Sequence, residues 1–143
     1  MTSKPDNPTS QPAAQAVTAR WGAALDAGFT AVPNVLLKAQ AELQLNHVEM
    51  IVLLNILMHW WQPDKMPFPR SSSIADRMGT TQRTVQRALT TLAEKGLVKK
   101  ISIGEGAKRE TFIDVAPLRA ALEKIVARYS WQAPSPEGEA EPL

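Results

Sequence analysis

Aliphatic side chains recur every three or four residues through the middle of the chain, and this spacing predicts amphipathic helices. In the stretch 71–95, Val85, Leu89 and Leu92 fall on one side of such a helix, and most residues between them are polar or basic. Gly79 lies at the expected turn, because glycine takes the positive φ that ends a helix without strain. The pattern predicts two short helices, of which the second buries one face and exposes the other.

Two runs rich in β-branched residues follow this helix pair, one over 98–103 and one over 109–114. The loop 104–108 between them contains two glycines. Such a pattern is typical of an antiparallel hairpin. The expected fold class is therefore mainly α with a small antiparallel β-hairpin at 98–114.

Three further helices are expected outside this region. One covers about 34–43, and a second covers about 47–61, where Asn46 and Glu49 are spaced as a capping box. A third begins at Pro117, since proline is favoured in the first turn of a helix. Helices therefore flank the central helix pair and hairpin on both sides.

The apolar faces of two of these helices raise the question of a second subunit. The helix at 47–61 is apolar almost all round, and such a helix must be covered on more than one side, by the rest of the chain or by a second copy. The last helix either packs back on the domain or meets a partner, and we favour the partner. The expected dimer contact consists of Leu118, Leu122, Ile125 and Tyr129.

Composition narrows the class of protein. With 143 residues and no cysteine, the chain is one domain by size and has no disulfide or thiolate metal site. The N-terminus lacks a signal pattern, and the longest apolar run is too short to span a bilayer. We expect a disordered arm at 1–16, a domain at 17–131 and a disordered acidic tail at 132–143. The expected location is cytoplasmic and nucleoid-associated, without a membrane partner.

Positive charge is concentrated in one part of the chain. Between Lys65 and Arg109 there are ten Lys and Arg against three Asp and Glu, whereas the net charge of the whole chain is only +2. A basic block that coincides with a helix pair and a hairpin is typical of a nucleic-acid binder. The alternative is an ordinary solvated face, which is common for Lys and Arg.

The phrase MPFPRSSSIADRMGTTQRTVQRALTTLAEKGLVKK, with the hairpin that follows it, resembles the winged helix-turn-helix family of bacterial, plasmid and phage regulators and replication initiators. The resemblance covers about 46–114 and implies a winged helix-turn-helix with extra N- and C-terminal helices. It implies that helix 81–95 enters the major groove of double-stranded DNA and that hairpin 98–114 is the wing. It does not separate a regulator from an initiator.

Side chains on the outer face of helix 81–95 suit base edges, because Arg can bond guanine with two N–H groups and Gln can bond adenine in the same way. The expected base-reading residues are Gln82, Arg83, Gln86 and Arg87. Polar groups near helix N-termini and on the wing suit phosphate. The expected phosphate contacts are Arg70, Ser71, Ser72, Thr80, Thr81, Thr90, Lys100, Lys108 and Arg109.

The sequence contains no phosphate-binding glycine loop, no paired carboxylates in an apolar setting, no nucleophile beside a base and no metal-ligand cluster. We therefore expect neither an enzyme nor a cofactor. The first functional hypothesis is a dimeric transcriptional regulator, acting as a repressor. The alternative is a plasmid or phage replication-initiation or partition module. A third hypothesis is a winged helix that binds proteins and not DNA.

Overall fold

The computed structural model describes residues 10–60, 62 and 64–128, and the chain divides into two compact units, residues 1–31 and 32–143. In the first unit, helix α1 spans Ser10–Trp21 and is followed by a 3-10 turn over Gly22–Ala27. This helix begins inside the arm that was expected to be disordered. Three alanines within 13–16 supply high helix propensity there, although the segment has no apolar periodicity.

The second unit begins at residue 32, so its boundary differs from the one expected at 17. Its helices are α2 (Asn34–Lys38), α3 (His47–Met58), α4 (Ser71–Met78), α5 (Gln82–Glu94) and α6 (Ala116–Arg128). Strands β1 (Lys99–Ile103) and β2 (Glu110–Asp114) pair antiparallel between α5 and α6. The predicted fold class, mainly helical with one antiparallel hairpin, is confirmed.

Helix α2 is shorter than the helix predicted over 34–43. It ends at Lys38, and the chain continues as hydrogen-bonded turns in which the backbone N–H of Leu43 donates to the carbonyl oxygen of Ala39 at 2.9 Å. The turns end at Gln44, whose φ is 57°. The apolar spacing continues through these turns, which is why the sequence pattern predicted a longer helix.

One core joins the elements of the second unit. Each element from α2 to β2 except β1 contributes a side chain that is almost completely removed from solvent, and these include Leu36, Leu53, Ile74, Leu92 and Ile113. Removal of an aliphatic side chain of this size from water stabilises a fold by about 1.5–3 kcal/mol. The core therefore fixes α4, α5 and the hairpin relative to α3.

Helix α6 packs into this core, and this corrects the expected dimer contact. Leu118, Leu122 and Ile125 are buried within the chain, and the contacts of α6 include α2. They are not available to a second subunit, so their assignment to a dimer contact is wrong. The helical spacing identified a buried face correctly but not the surface that covers it. Tyr129, the fourth expected contact, lies outside the described residues.

Helix α3 begins with the predicted capping box. The backbone N–H of Glu49 donates to Asn46 Oδ1 at 2.8 Å, and the backbone N–H of Asn46 donates to Glu49 Oε1 at 3.1 Å. Along the helix, Val48, Ile51 and Met58 remain 38 to 43% exposed. The chain therefore covers α3 on most sides and leaves one apolar stripe open.

Candidate nucleic-acid interface

Helix α4 leads into the candidate interface and starts with Arg70 as its N-cap residue. No side chain caps this helix, and the serines at 71–73 occupy its first turn. Ser71 is half-buried, whereas Arg70 and Ser72 are exposed. The uncapped N–H groups of a first helical turn attract anions, so this end of α4 suits the phosphate contacts predicted for it.

The turn between α4 and α5 has the geometry that the sequence predicted. Gly79 adopts a φ of 67°, and the N–H of Thr80 donates to the carbonyl oxygen of Ala75 at 3.0 Å. Thr81 then caps α5, because its Oγ1 accepts a hydrogen bond from the N–H of Thr84 at 3.2 Å. The cap is thus Thr81 and not Thr80, and the Thr81 side chain stays exposed at the start of α5.

Helix α5 separates its side chains into two faces. Val85, Ala88, Leu89 and Leu92 are buried. The opposite face carries Gln82, Arg83, Gln86, Arg87 and Thr90, all of them exposed. The structure therefore brings the four residues predicted to read bases together on one open helix face.

The hairpin presents one side of its strands to this face of α5. Lys100 is paired with Ile113, which is buried, so both side chains lie on the side that faces the helices. Lys100 Nζ donates to Thr90 Oγ1 at 2.8 Å. Since Thr90 also donates to the carbonyl oxygen of Gln86 at 3.0 Å, the wing is joined to the exposed face of α5.

Two further wing residues of the predicted set lie nearer the tip. Arg109 Nη2 donates to Ser102 Oγ at 3.3 Å, and Ser102 lies two residues after Lys100, on the same side of β1. Lys108 is exposed in the 3-10 turn Gly106–Lys108. Both cations therefore lie beyond Lys100 toward the end of the wing.

The wing tip depends on Gly104, which has a φ of 94°. A Cβ at this position would lie 2.5 Å from the carbonyl oxygen of Lys108. Such a contact is far inside van der Waals distance and involves backbone, so only glycine fits. Gly104 thus permits the close approach of the Lys108 backbone at the tip.

The cations of this region are not paired with acidic side chains of the described residues. We use the term basic surface for six side chains on α5, at the start of α4 and on the wing: Arg70, Arg83, Arg87, Lys100, Lys108 and Arg109. Within the described part of the chain, none of the six takes part in an ion pair. A surface of unpaired cations with open hydrogen-bond donors is what a polyanion requires.

The opposite side of the wing carries partly exposed apolar side chains that were not among the predicted site residues. The rings of Phe68 and Phe112 lie 5.1 Å apart, and Phe68 is 39% exposed. Ile103 is 53% exposed on the same side of the hairpin as Phe112. The signal was present in β1, where isoleucines alternate with polar residues at positions 101 and 103.

Residue Pro67 joins this region to the sheet, since its carbonyl oxygen accepts a hydrogen bond from the N–H of Ile113 at 3.0 Å. This backbone contact ties the segment 66–68 to β2 and brings Phe68 to Phe112.

The described residues also bear on metal binding and on membrane insertion. No group of three or more His, Cys, Asp or Glu side chains in that part of the chain could hold a metal ion. No helix among residues 10–60, 62 and 64–128 is long and apolar enough to cross a membrane.

Comparison with solved structures finds several similar chains. The N-terminal domain of DnaD from Geobacillus kaustophilus HTA426 shares 24% identity over 79% of this chain and 90% of its own, with a TM-score of 0.55. The transcriptional regulator PA3341 (25% identity, 84% of this chain, 77% of its own) and YusO from Bacillus subtilis (17%, 92% and 87%) both score 0.41, which is too low to support an argument. No curated protein sequence matches significantly.

The likeness to the Geobacillus domain supports the fold alone, because a sequence identity of 24% is too low to transfer a function. A match to a protein-family model identifies the family as well as the fold. The model of the DnaD N-terminal domain matches residues 32–132, which are more than two thirds of the chain and include α2 to α6 and the hairpin. The protein is thus a member of the DnaD N-terminal domain family.

Proposed function

We propose that this chain binds double-stranded DNA through α5 and the wing, and that it does so in replication initiation. The observation that carries the proposal is the hydrogen bond from Lys100 Nζ to Thr90 Oγ1 at 2.8 Å. It places the base of the wing against the exposed face of α5. The cations of α5 and those of the wing therefore lie beside each other and not on two separate faces.

Dimensions and chemistry support the same function. Helix α5 has 13 residues, which corresponds to about 20 Å, and a major groove about 12 Å wide admits such a helix. In this arrangement Gln82, Arg83, Gln86 and Arg87 read base edges. The remaining expected contacts hold the phosphates: Arg70, Ser71, Ser72, Thr80, Thr81, Thr90, Lys100, Lys108 and Arg109.

Family membership supports replication over repression. DnaD N-terminal domains belong to replication initiation, and the residues matched include the whole helix-turn-helix and the wing. Of the two DNA-binding hypotheses, the replication-initiation module is therefore the better supported. A role as a repressor stays a prediction, and identification of a promoter that the protein regulates would be needed to establish it.

A homodimer is also a proposal, and its contact must differ from the one first expected. The exposed stripe of α3 formed by Val48, Ile51 and Met58 is apolar and is left open by the rest of the chain. A second copy that covers this stripe would remove it from water, which is favourable in proportion to the area buried. We therefore assign the dimer contact to α3.

Selection of bound sites from random duplex DNA tests the proposal. At physiological salt, we expect enriched sites, with direct repeats beside an A·T-rich stretch for a replication module. A single inverted repeat with half-sites one helical turn apart would instead indicate a two-fold regulator. No enrichment, together with no salt-dependent binding to any duplex, would contradict DNA binding.

The outer side of the wing favours a second candidate function, a protein-binding winged helix. Phe68, Phe112 and Ile103 are partly or largely exposed there, and contiguous exposed apolar side chains often mark contact with another protein. The same selection separates the two functions. A chain that binds no DNA but whose partner is lost on Phe68→Ser would have this function in place of the first.

A further inference from the structure

The segment 132–143 carries charge opposite to that of the basic surface. It contains Glu137, Glu139 and Glu141 and no Lys or Arg. It begins where the family match ends, at residue 132, and lies outside the described residues. In an extended chain, alternate side chains fall on one side about 6.6–7 Å apart, so an extended conformation of this segment would put the three carboxylates in a single row.

A row of this spacing fits cations on α5. Arg83 and Arg87 are four residues apart, and such positions on a helix are neighbours with Cβ atoms about 5–6 Å apart. Both are exposed and neither takes part in an ion pair with a described residue. Two adjacent carboxylates of the row can therefore face these two guanidinium groups together.

Contacts at the end of α6 start the segment near α5. Arg128 Nη2 donates to Glu42 Oε1, and Lys95 Nζ donates to the carbonyl oxygen of Gln44. Glu42 and Gln44 belong to the same turns after α2, and Lys95 is the C-cap residue of α5. The C-terminal ends of α5 and α6 therefore border one short stretch of chain.

The intervening chain is long enough to reach the basic surface. Glu137 lies nine positions after Arg128, which allows about 30 Å when extended, and Glu141 lies about 13 Å further. Along α5, the distance from Lys95 back to Arg83 is about 18 Å, since each residue rises about 1.5 Å. The row of carboxylates can thus lie beside the whole exposed face of α5.

We propose that the acidic segment 132–143 occupies the basic surface when DNA is absent and competes with DNA for Arg83 and Arg87. The DNA part of this inference rests on the proposed function, whereas the docking of the segment does not. A ligand tethered by a short chain acts at an effective concentration in the millimolar range. Even a weak contact of three carboxylates is therefore sufficient to lower DNA affinity.

The test uses the full chain and the triple variant Glu137→Gln, Glu139→Gln, Glu141→Gln. Binding to a labelled duplex of about 20 base pairs is measured by fluorescence anisotropy at several salt concentrations. The variant should bind about three- to tenfold more tightly at about 50 mM salt, and the ratio should approach one as salt increases, because salt screens exposed charges. A control variant, Asp26→Asn, Asp64→Asn, Glu123→Gln, changes the net charge equally at exposed residues elsewhere. An equal gain in this control would overturn the proposal.

A second measurement needs no DNA. In ¹H–¹⁵N spectra, the backbone amide signals of Arg83 and Arg87 should differ between the wild-type chain and the triple variant, and the difference should be independent of protein concentration. Unchanged signals would overturn the docking, and a difference that disappears on dilution would show that the segment binds a second copy instead. If the signals differ but neither protein binds DNA, the proposed function fails while the docking stands.

Discussion

Lys95 Nζ lies 2.6 Å from Glu49 Oε1, and this ion pair joins the C-terminal end of α5 to the first turn of α3. Glu49 is only 6% exposed. Its carboxylate also accepts the backbone N–H of Asn46, so one side chain completes the capping box of α3 and holds α5. The helix that carries the candidate base-reading residues is therefore positioned partly by a charge pair and not by apolar packing alone.

The first prediction concerns the contribution of this pair to stability. Glu49→Gln should lower the free energy of unfolding by about 1–3 kcal/mol, because it removes a hydrogen-bonded charge and leaves the Lys95 ammonium without its ion-pair partner. Urea denaturation measures the change. Glu123→Gln is the control, since the Arg119–Glu123 pair is exposed at 3.4 Å and such pairs contribute about 0–1 kcal/mol. Equal effects of the two variants would contradict a structural role for Glu49.

The second prediction concerns pH. Burial raises the pKa of Glu49, but the hydrogen bonds from Lys95 and Asn46 and the charge of Lys95 outweigh it, so the pKa in the folded chain lies below the ordinary value of 4.5. As pH falls below 4.5, the unfolded chain takes up the proton first, and the stabilisation by Glu49 is lost as pH passes through the folded pKa. The difference in unfolding free energy between wild type and Glu49→Gln should be constant above about pH 5.5 and shrink below pH 4.5. A difference that grows on acidification would have the wrong sign.

The third prediction concerns the base-reading face. On the site selected from random DNA, Arg87→Ala should weaken binding by about 1–3 kcal/mol and relax the preference at one base position. Repeating the selection with the variant measures both effects. Arg119→Ala, on the exposed side of α6, should change neither. If Arg87→Ala weakens binding equally on every sequence, Arg87 contacts phosphate and its assignment to bases is wrong.

The fourth prediction concerns the wing. Lys108→Ala should reduce the slope of log Kd against log salt by about one unit without changing the preferred sequence, because one phosphate contact releases about one counterion. Binding titrations at four or more salt concentrations measure the slope, with Lys124→Ala on α6 as a matched loss of one exposed cation. An unchanged slope for Lys108→Ala would remove the wing tip from the interface.

The fifth prediction concerns the exposed stripe of α3. If a second copy covers it, Ile51→Glu should convert a dimer into a monomer, since a buried unpaired carboxylate is costly. Sedimentation equilibrium measures the mass. Val126→Glu provides a control on α6, where Val126 is 44% exposed and Ile51 on α3 is 43% exposed. A wild-type chain that is monomeric at all concentrations would rule out this contact.

Features that depend on neighbours in the chain could be predicted from the sequence alone. Gly79 ends α4 with a φ of 67°, and Asn46 and Glu49 form their capping box, because turns and caps are decided within three or four residues. The two faces of α5 follow from its period in the same way, so the four candidate base-reading residues were found together. Helix α1 shows the limit, since its alanines lack the apolar period on which that reading relied.

Only the tertiary structure decided which surfaces meet. The period of Leu118, Leu122 and Ile125 shows that a face is buried, but a second copy and the chain's own α2 would bury it equally well, and the structure places it in the chain's own core. Likewise, strand alternation shows that adjacent lysines of β1 point to opposite sides, but only the packing of the hairpin against α5 selects Lys100 as the residue that reaches Thr90. The sequence by itself determined the helices, turns and hairpin through local backbone preferences. Their partners depend on contacts between residues far apart in the chain, and the local pattern carries no record of these.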